Sequence, residues 1–130
     1  MRFFRMEEFA CRCCGQLPPF AKENVEALVA EVLDPLRERL GRPIRVNSGY
    51  RCAERNAAVG GATGSQHLKG EAADICGRSP EENMRMARML MERRGFDQLI
   101  MERCDKAGNP MWLHVSYKRT GVNRNMVLWG

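Results

Sequence analysis

Two histidines, His67 and His114, are the only ones among the 130 residues of the chain. Asp74 lies seven residues after His67, in a segment from Glu71 to Cys76 whose pattern indicates a short buried strand. Imidazole and carboxylate groups suit zinc, and a catalytic zinc typically keeps three protein ligands and one open position for water. His67, Asp74 and His114 are therefore candidate ligands of one zinc ion, although imidazole also suits other divalent metals.

The same residues also allow a purely structural interpretation. A histidine and an aspartate at this spacing, taken alone, fit a capped turn followed by a buried strand carboxylate. Ala72 and Ala73 are small enough for close packing around Asp74, and Gly64 and Gly70 permit backbone conformations that other residues avoid. A buried carboxylate needs a partner, and a metal ion would be one, so we favour the metal site.

Three motifs occur in order around these residues. The first, S-x-H-x-x-G-x-A-x-D, extends from Ser65 to Asp74, with S-G-Y-R before it at residues 48–51 and W-x-H after it at residues 112–114. Together they resemble the motifs of zinc D-Ala-D-Ala carboxypeptidases and related peptidoglycan endopeptidases. Residues 9–13, F-A-C-R-C, resemble the N-terminal segment of the small phage and prophage members. The resemblance implies a hedgehog/DD-peptidase fold, one zinc ion per chain and a peptidoglycan stem peptide as substrate.

The resemblance also implies roles for residues around the metal ligands. Arg51, the arginine of S-G-Y-R, is expected to hold a substrate carboxylate or the developing oxyanion, because its planar fork of donors suits both. Ser48 and Ser65 are expected to orient ligands or substrate. Tyr50 is a candidate substrate contact, with core packing as its alternative. A serine or cysteine nucleophile is not favoured, because both histidines are used as ligands.

A zinc peptidase needs a group that takes a proton from the attacking water and passes one to the leaving amine. Some relatives place an acid three residues before the last histidine ligand, where this chain has Met111. Others place a histidine five residues before it, where this chain has Asn109. Met111 and Asn109 therefore cannot act as the proton-transferring group.

Glu102 is the candidate for this proton-transferring group. The run Gln98 to Glu102 resembles the corresponding segment of the small phage-type members. If Glu102 pairs with Trp112 in a hairpin, strand alternation places Glu102 and His114 on one face as diagonal neighbours. A solvated glutamate at a hairpin edge is the alternative, and Asp105 is the reserve candidate.

The segments between the motifs predict the elements that position them. Residues 22–40 follow a helical period that Pro35 should kink or break and that Gly41 should end. Ser79, with a proline directly after it, favours the start of a second long helix. A short helix is predicted at residues 53–59, and strands at residues 43–48, 71–76, 96–102, 111–117 and 122–129.

These elements define the expected architecture. Helices beside a mainly antiparallel sheet indicate the α+β class, which agrees with the fold that the resemblance implies. The length predicts a single domain over residues 1–130. Residues 1–20, which hold three closely spaced cysteines, are expected to form an extended or irregular arm.

Composition narrows the function classes. Charged residues make up 28% and hydrophobic residues 44% of the chain, as in ordinary soluble globular proteins. No stretch approaches the roughly 20 apolar residues of a membrane span, and no signal peptide is visible. The net charge of +5 comes from scattered basic residues, so we do not expect nucleic-acid binding. We expect a monomer made in the cytoplasm and acting at the bacterial cell wall, with phage or prophage origin suggested by the resemblance.

Six cysteines remain to be explained. Cys11, Cys13 and Cys14 are close together and could form part of a second metal site. The spacing C-x-C-C lacks the paired C-x-x-C units of a structural zinc signature, however. We interpret the cysteines as free thiols in a reducing compartment, with a disulfide after export as the alternative.

The sequence therefore predicts a zinc-dependent carboxypeptidase or endopeptidase that hydrolyses peptide bonds of peptidoglycan stem peptides. The alternative is a non-catalytic, zinc-bound module of the same fold that binds the cell wall or belongs to a phage tail. Met111, at the position of the usual acid, keeps that alternative open.

Overall fold

Five strands form one sheet in the computed structural model, which describes residues 2–130. They are β1 (Arg45–Ser48), β2 (Ala72–Cys76), β3 (Gln98–Glu102), β4 (Trp112–Ser116) and β5 (Met126–Trp129). Their order in the sheet is β1-β2-β4-β3-β5. The first four pair antiparallel, and β5 lies parallel to β3. The predicted α+β class with a mainly antiparallel sheet is confirmed.

Four helices accompany the sheet: α1 (Pro19–Leu28), α2 (Asp34–Leu40), α3 (Ala53–Ala58) and α4 (Pro80–Arg93). A π-helical turn, Val29–Leu33, joins α1 to α2 without a break. This wider turn ends two residues before Pro35, whose ring would clash with the carbonyl one turn earlier in a regular α-helix. The expected kink is therefore a π turn, and Gly41 ends the helix in a left-handed conformation at φ +73°, as predicted.

The N-terminal segment is more ordered than the sequence suggested. A short 3₁₀ turn occupies Met6–Phe9, and α1 begins at Pro19 rather than at residue 22. Pro18 is extended, and a proline at the first helical position is already in the required conformation, which explains the earlier start. Phe4 and Phe9 are buried and pack edge to face, and so attach the segment to the core.

The two faces of the sheet differ in character. Alternate residues of β3 and β4, such as Leu99 and Val115, are fully buried in the main core with the helices. Because side chains alternate along a strand, Asp74, His114 and Glu102 belong to the opposite face. Helices α1, α2 and α4 thus cover one face and leave the other available for a site.

The helices of residues 2–130 are too short or too polar to cross a bilayer.

Candidate metal centre and active site

The three predicted metal ligands meet on the open face of the sheet. Asp74 on β2 and His114 on β4 are directly paired, and His114 Nδ1 lies 3.3 Å from Asp74 Oδ1. His67 comes from a 3₁₀ turn, Gln66–Lys69, and its Nε2 lies 3.2 Å from the same oxygen. One ligand atom from each residue lies within 4.8 Å of the others.

The turn that carries His67 is set by its two ends. Ser65 Oγ accepts a hydrogen bond from the His67 amide at 3.2 Å, so this serine acts as the cap of the turn. Gly70 ends the turn at φ +75°, and a Cβ there would lie 2.5 Å from the carbonyl oxygen of Ala21. Only glycine combines a left-handed backbone with the absence of a Cβ, which accounts for its place in the motif.

The donor set fits a metal cation. His67 Nδ1 lies 2.7 Å from the carbonyl oxygen of Gly49, which can only accept, so Nδ1 carries the proton in the neutral ring. Nε2, the ring nitrogen next to the Asp74 oxygen, is then the one that would bind the metal, whereas without a metal it bonds to the carboxylate only when it carries a proton. Burial alone would raise the pKa of Asp74, but hydrogen bonds and charge from His114 and His67 lower that pKa well below its usual range. An ionised carboxylate beside two imidazoles, all buried, is a suitable set for a divalent cation.

Arg51 holds the carboxylate ligand from the other side. Its Nη2 donates to Asp74 Oδ2 at 3.1 Å, while Nε donates to Ser48 Oγ at 3.1 Å and Nη1 to Asn56 Oδ1 at 3.4 Å. Because Arg51 holds Oδ2, the other carboxylate oxygen, Oδ1, faces the two histidines. The ion pair was not predicted, and the only signal for it in the sequence was that a buried aspartate needs a cationic partner.

A cleft of about 390 Å³ opens over the ligands. Arg51, Ser65 and Glu102 line it together with the three candidate ligands. The lining also contains residues that the sequence did not assign to the site, with Gln66, Gln98, Ile100 and Trp112 among them. Three larger grooves, of about 690, 530 and 490 Å³, have no such convergence of ligands. The chemistry of its lining therefore distinguishes this cleft.

Glu102 lies where the hairpin alternation predicts. It pairs with Trp112, and Ile100 pairs with His114, so Glu102 and His114 are diagonal neighbours on the cleft face. Within residues 2–130 its carboxylate accepts no hydrogen bond; it lines the cleft, with Oε1 lying against Gly130.

Asp105, the reserve candidate, lies outside the cleft lining. Its Oδ1 accepts hydrogen bonds from the backbone amides of Ala107 at 3.0 Å and Asn109 at 2.9 Å. It therefore closes the loop of the hairpin. Met111 is half exposed beside this loop.

Two predicted substrate contacts are placed behind the cleft. Tyr50 is buried with Cys11 and Ala21, and its ring meets Phe20 edge to face at 6.1 Å between centroids. Its position matches the core-packing alternative, because the backbone at Gly49 is pressed against Phe9 and turns the next side chain inward. Ser48 does not line the cleft; it pairs with Asp74 across β1 and β2, and its hydroxyl accepts a hydrogen bond from Arg51.

A buried acid network fastens the His67 turn to the sheet. Asp97 is fully buried and accepts from Arg124 Nε at 2.9 Å, Arg124 Nη2 at 2.8 Å and Gln66 Nε2 at 2.8 Å. The hydrogen bonds from Arg124 hold the pKa of Asp97 well below its usual range. Because Gln66 directly precedes His67, this carboxylate helps to fix the position of a candidate ligand.

Replacing Asp97 by asparagine is expected to lower the free energy of unfolding by about 1–3 kcal/mol, because the new amide group would face the donors of Arg124 and Gln66. Urea unfolding measures the effect. Asp105→Asn, the same change on an exposed loop residue, should have little effect. Equal stability of the parent and Asp97→Asn would contradict the structural role.

The effect of Asp97 should depend on pH in a defined direction. Its pKa is lowered in the folded state, so its stabilisation is fully present above the unfolded-state pKa of about 3.9. It is lost as the pH falls from there through the folded-state pKa. The difference between the parent and Asp97→Asn should therefore stay constant above about pH 5 and shrink below about pH 4.

Two imidazoles and a carboxylate gathered on an antiparallel sheet, with a free glutamate in the same cleft, define a candidate metallohydrolase centre. The profile of the Peptidase M15 family matches residues 2–116, and the chain belongs to this family. A zinc D-Ala-D-Ala carboxypeptidase from Streptomyces albus G is 46% identical over 44 residues, which cover 33% of this chain and 17% of that relative. The match thus spans about a sixth of the relative's length.

Proposed function

We propose that the chain is a zinc peptidase that hydrolyses peptide bonds in peptidoglycan stem peptides. The observation that carries this proposal is the meeting of His67, Asp74 and His114 within 4.8 Å, in a cleft that also contains Glu102. Membership of the Peptidase M15 family supports peptide hydrolysis. The partial match to a zinc D-Ala-D-Ala carboxypeptidase supports the metal and the substrate class.

His67 Nε2, Asp74 Oδ1 and His114 Nδ1 are the atoms that would hold the metal. A zinc ion bound there supplies Lewis-acid polarisation of the scissile carbonyl and increases the acidity of water. The chain prepares the ligands for this role. Gly49 fixes the His67 tautomer, and Arg51 fixes the orientation of Asp74.

Glu102 supplies the proton transfer in this proposal. From the cleft face of β3 its carboxylate takes a proton from the attacking water and delivers one to the leaving nitrogen. Among residues 2–130, Glu102 is the one acid outside the ligand set that lines the cleft. The position of Glu102 on a strand, rather than on the hairpin loop, suits a group that must be held in place during catalysis.

Arg51 has a second role toward the substrate. A guanidinium carries five N–H donors, and Asp74, Ser48 and Asn56 use three of them. The remaining donors are available to a substrate carboxylate or a developing oxyanion at the cleft wall. The Gln98 side chain lines the cleft beside it and can pair with the peptide backbone, whereas the Gln66 amide is used by Asp97 and its oxygen is buried.

Arg51→Lys is expected to lower hydrolysis by more than about tenfold and to weaken zinc binding by roughly 10–100-fold, because a point charge cannot replace the fork that holds Asp74. The hydrolysis defect should persist at saturating zinc if Arg51 also contacts the substrate. Zinc titration and peptide release measure the two effects. Arg45→Lys, on the exposed start of β1, is the matched control. Parent-like zinc affinity and hydrolysis in Arg51→Lys would remove Arg51 from the site.

Digestion of purified muropeptides by the zinc-loaded chain tests the proposal, with mass spectrometry of the products. Loss of a terminal D-Ala would identify a carboxypeptidase, and cleavage within the stem or a cross-bridge would identify an endopeptidase. Binding of muropeptides and zinc without cleavage would favour the non-catalytic wall-binding or phage tail module instead.

A further inference from the structure

Four cysteines meet at the rear of the Arg51 segment. Cys11, Cys13 and Cys14 come from the N-terminal arm, and Cys52 directly follows Arg51. The sulfur of Cys52 lies 3.6 Å from that of Cys11 and 3.3 Å from that of Cys13, and the Cys11 and Cys13 sulfurs are 3.5 Å apart. All four sulfurs lie within 4.8 Å of one another.

The backbone is arranged to present these sulfurs. The Cys11 amide donates to the Gln16 carbonyl at 2.9 Å, and the Gly15 amide donates to the Cys11 carbonyl at 2.8 Å. Gly15 adopts φ +70°, a left-handed conformation that lets the arm fold back within a few residues. The result is a tight loop with three cysteines on it, facing Cys52.

Backbone donors also point at the sulfurs. The Cys52 amide lies 3.5 Å from Cys11 Sγ, and the Arg55 amide lies 3.4 Å from Cys52 Sγ. Amide groups in these positions stabilise the negative charge of thiolates. Four thiolates this close would repel one another strongly without a cation among them, and a disulfide could use only two of them.

The spacing of the sulfurs suits a tetrahedral zinc ion. Zn–S bonds of about 2.3 Å place the sulfurs of a four-cysteine site roughly 3.8 Å apart. The three sulfur pairs among Cys11, Cys13 and Cys52 are at 3.3–3.6 Å, close to that value, and the Cys14 sulfur lies within 4.8 Å of the other three. The other cysteines, Cys76 and Cys104, do not belong to the cluster.

We propose that Cys11, Cys13, Cys14 and Cys52 bind a second zinc ion, which is structural. Four cysteine ligands leave no open position for water or substrate, so this ion takes no part in hydrolysis. The sequence pattern C-x-C-C lacked a partner because the fourth ligand comes from a distant segment, directly after S-G-Y-R.

The proposed ion lies next to residues 49–52, which support the candidate catalytic ligands. Residues 49–52 contain the Gly49 carbonyl that orients His67 and the guanidinium that orients Asp74. The arm meets the same segment through a hydrogen bond from the Tyr50 amide to the Phe9 carbonyl, at 2.8 Å. A zinc ion between the arm and Cys52 therefore fastens the support of the catalytic ligands.

Metal analysis of the full chain, purified under reducing conditions, tests this assignment. The parent should contain about two zinc ions, and the variant Cys13→Ser/Cys52→Ser about one, lost from the cysteine cluster. The variant His67→Ala/His114→Ala should also contain about one zinc ion, which is the ion in the cysteine cluster. Cys76→Ser and Cys104→Ser, at cysteines outside the cluster, should match the parent.

Cobalt substitution gives a second readout that does not depend on the stability of a variant. The cobalt-loaded parent should show sulfur-to-metal charge-transfer absorption, which His67→Ala/His114→Ala should keep, because only cysteine ligands produce it. Absence of this absorption from the loaded parent would overturn the proposal. So would an intact mass showing a disulfide within the cluster, or zinc content in Cys13→Ser/Cys52→Ser equal to that of the parent.

Discussion

Replacing His114 by alanine is expected to empty the histidine site of zinc and to lower peptide hydrolysis by well over 100-fold. Loss of an outer partner of a metal ligand already costs about 10–100-fold in affinity or activity, and loss of a ligand itself should cost more. Only two of the three protein ligands would remain, Asp74 and His67. His67→Ala should behave in the same way.

Met111→Ala is the matched control for this experiment. Met111 immediately precedes β4, the strand that carries His114, is 50% exposed and occupies the position where some relatives carry an acid. Its thioether cannot act as a base at neutral pH, so its removal should leave zinc binding and hydrolysis unchanged. To exclude cysteine-bound zinc, the histidine variants and their control are made in a chain that also carries Cys13→Ser/Cys52→Ser. Full zinc occupancy of the histidine site in both histidine variants would refute the ligand assignment.

Glu102→Gln is expected to keep the fold and the zinc but to lower hydrolysis by about 100-fold or more, the scale of general acid–base catalysis. The amide keeps the size of the side chain and cannot accept the proton of the attacking water. Since the pairing with Trp112 depends on the backbone, the position of residue 102 should not change. Steady-state kinetics on a stem peptide measures the loss.

Asp105→Asn applies the same acid-to-amide change to the same hairpin, outside the cleft lining. The Asn oxygen can still accept from the two loop amides, so this variant should hydrolyse at the parent rate. If Glu102→Gln also matches the parent, Glu102 is not the base. A defect in Asp105→Asn equal to that of Glu102→Gln would indicate that the hairpin conformation matters rather than the acid at position 102.

The parts of this structure that follow from short-range patterns were predictable. Ser79 caps the amide of Glu82, and Gly41 ends α2, as their residue types predict. The pairing of Glu102 with Trp112, assumed for the β3–β4 hairpin, is found in the structure, and alternation then places Glu102 and His114 on one face. The two histidines and Asp74 could be named as candidate ligands because few residue types form such a site, and the structure brings them together.

The remaining features depend on contacts between distant segments. The parallel pairing of β5 with β3 and the ion pair between Arg51 and Asp74 have no local signature. Cys52 joins the arm cysteines only because the Arg51 segment packs on the arm. Tyr50 was assigned to the substrate from its motif, whereas the direction of its side chain depends on how tightly the backbone packs at Gly49.

The most direct test of the central claim is muropeptide cleavage measured while zinc is titrated into chelator-treated parent protein. We predict no product from the metal-free chain and cleavage that rises with occupancy of the His67–Asp74–His114 site, reaching its maximum when that site is full. His114→Ala, treated identically, should release nothing at any zinc concentration. Full zinc occupancy of the histidine site in the parent, with no stem-peptide bond cleaved, would contradict the assignment of this chain as a zinc peptidase.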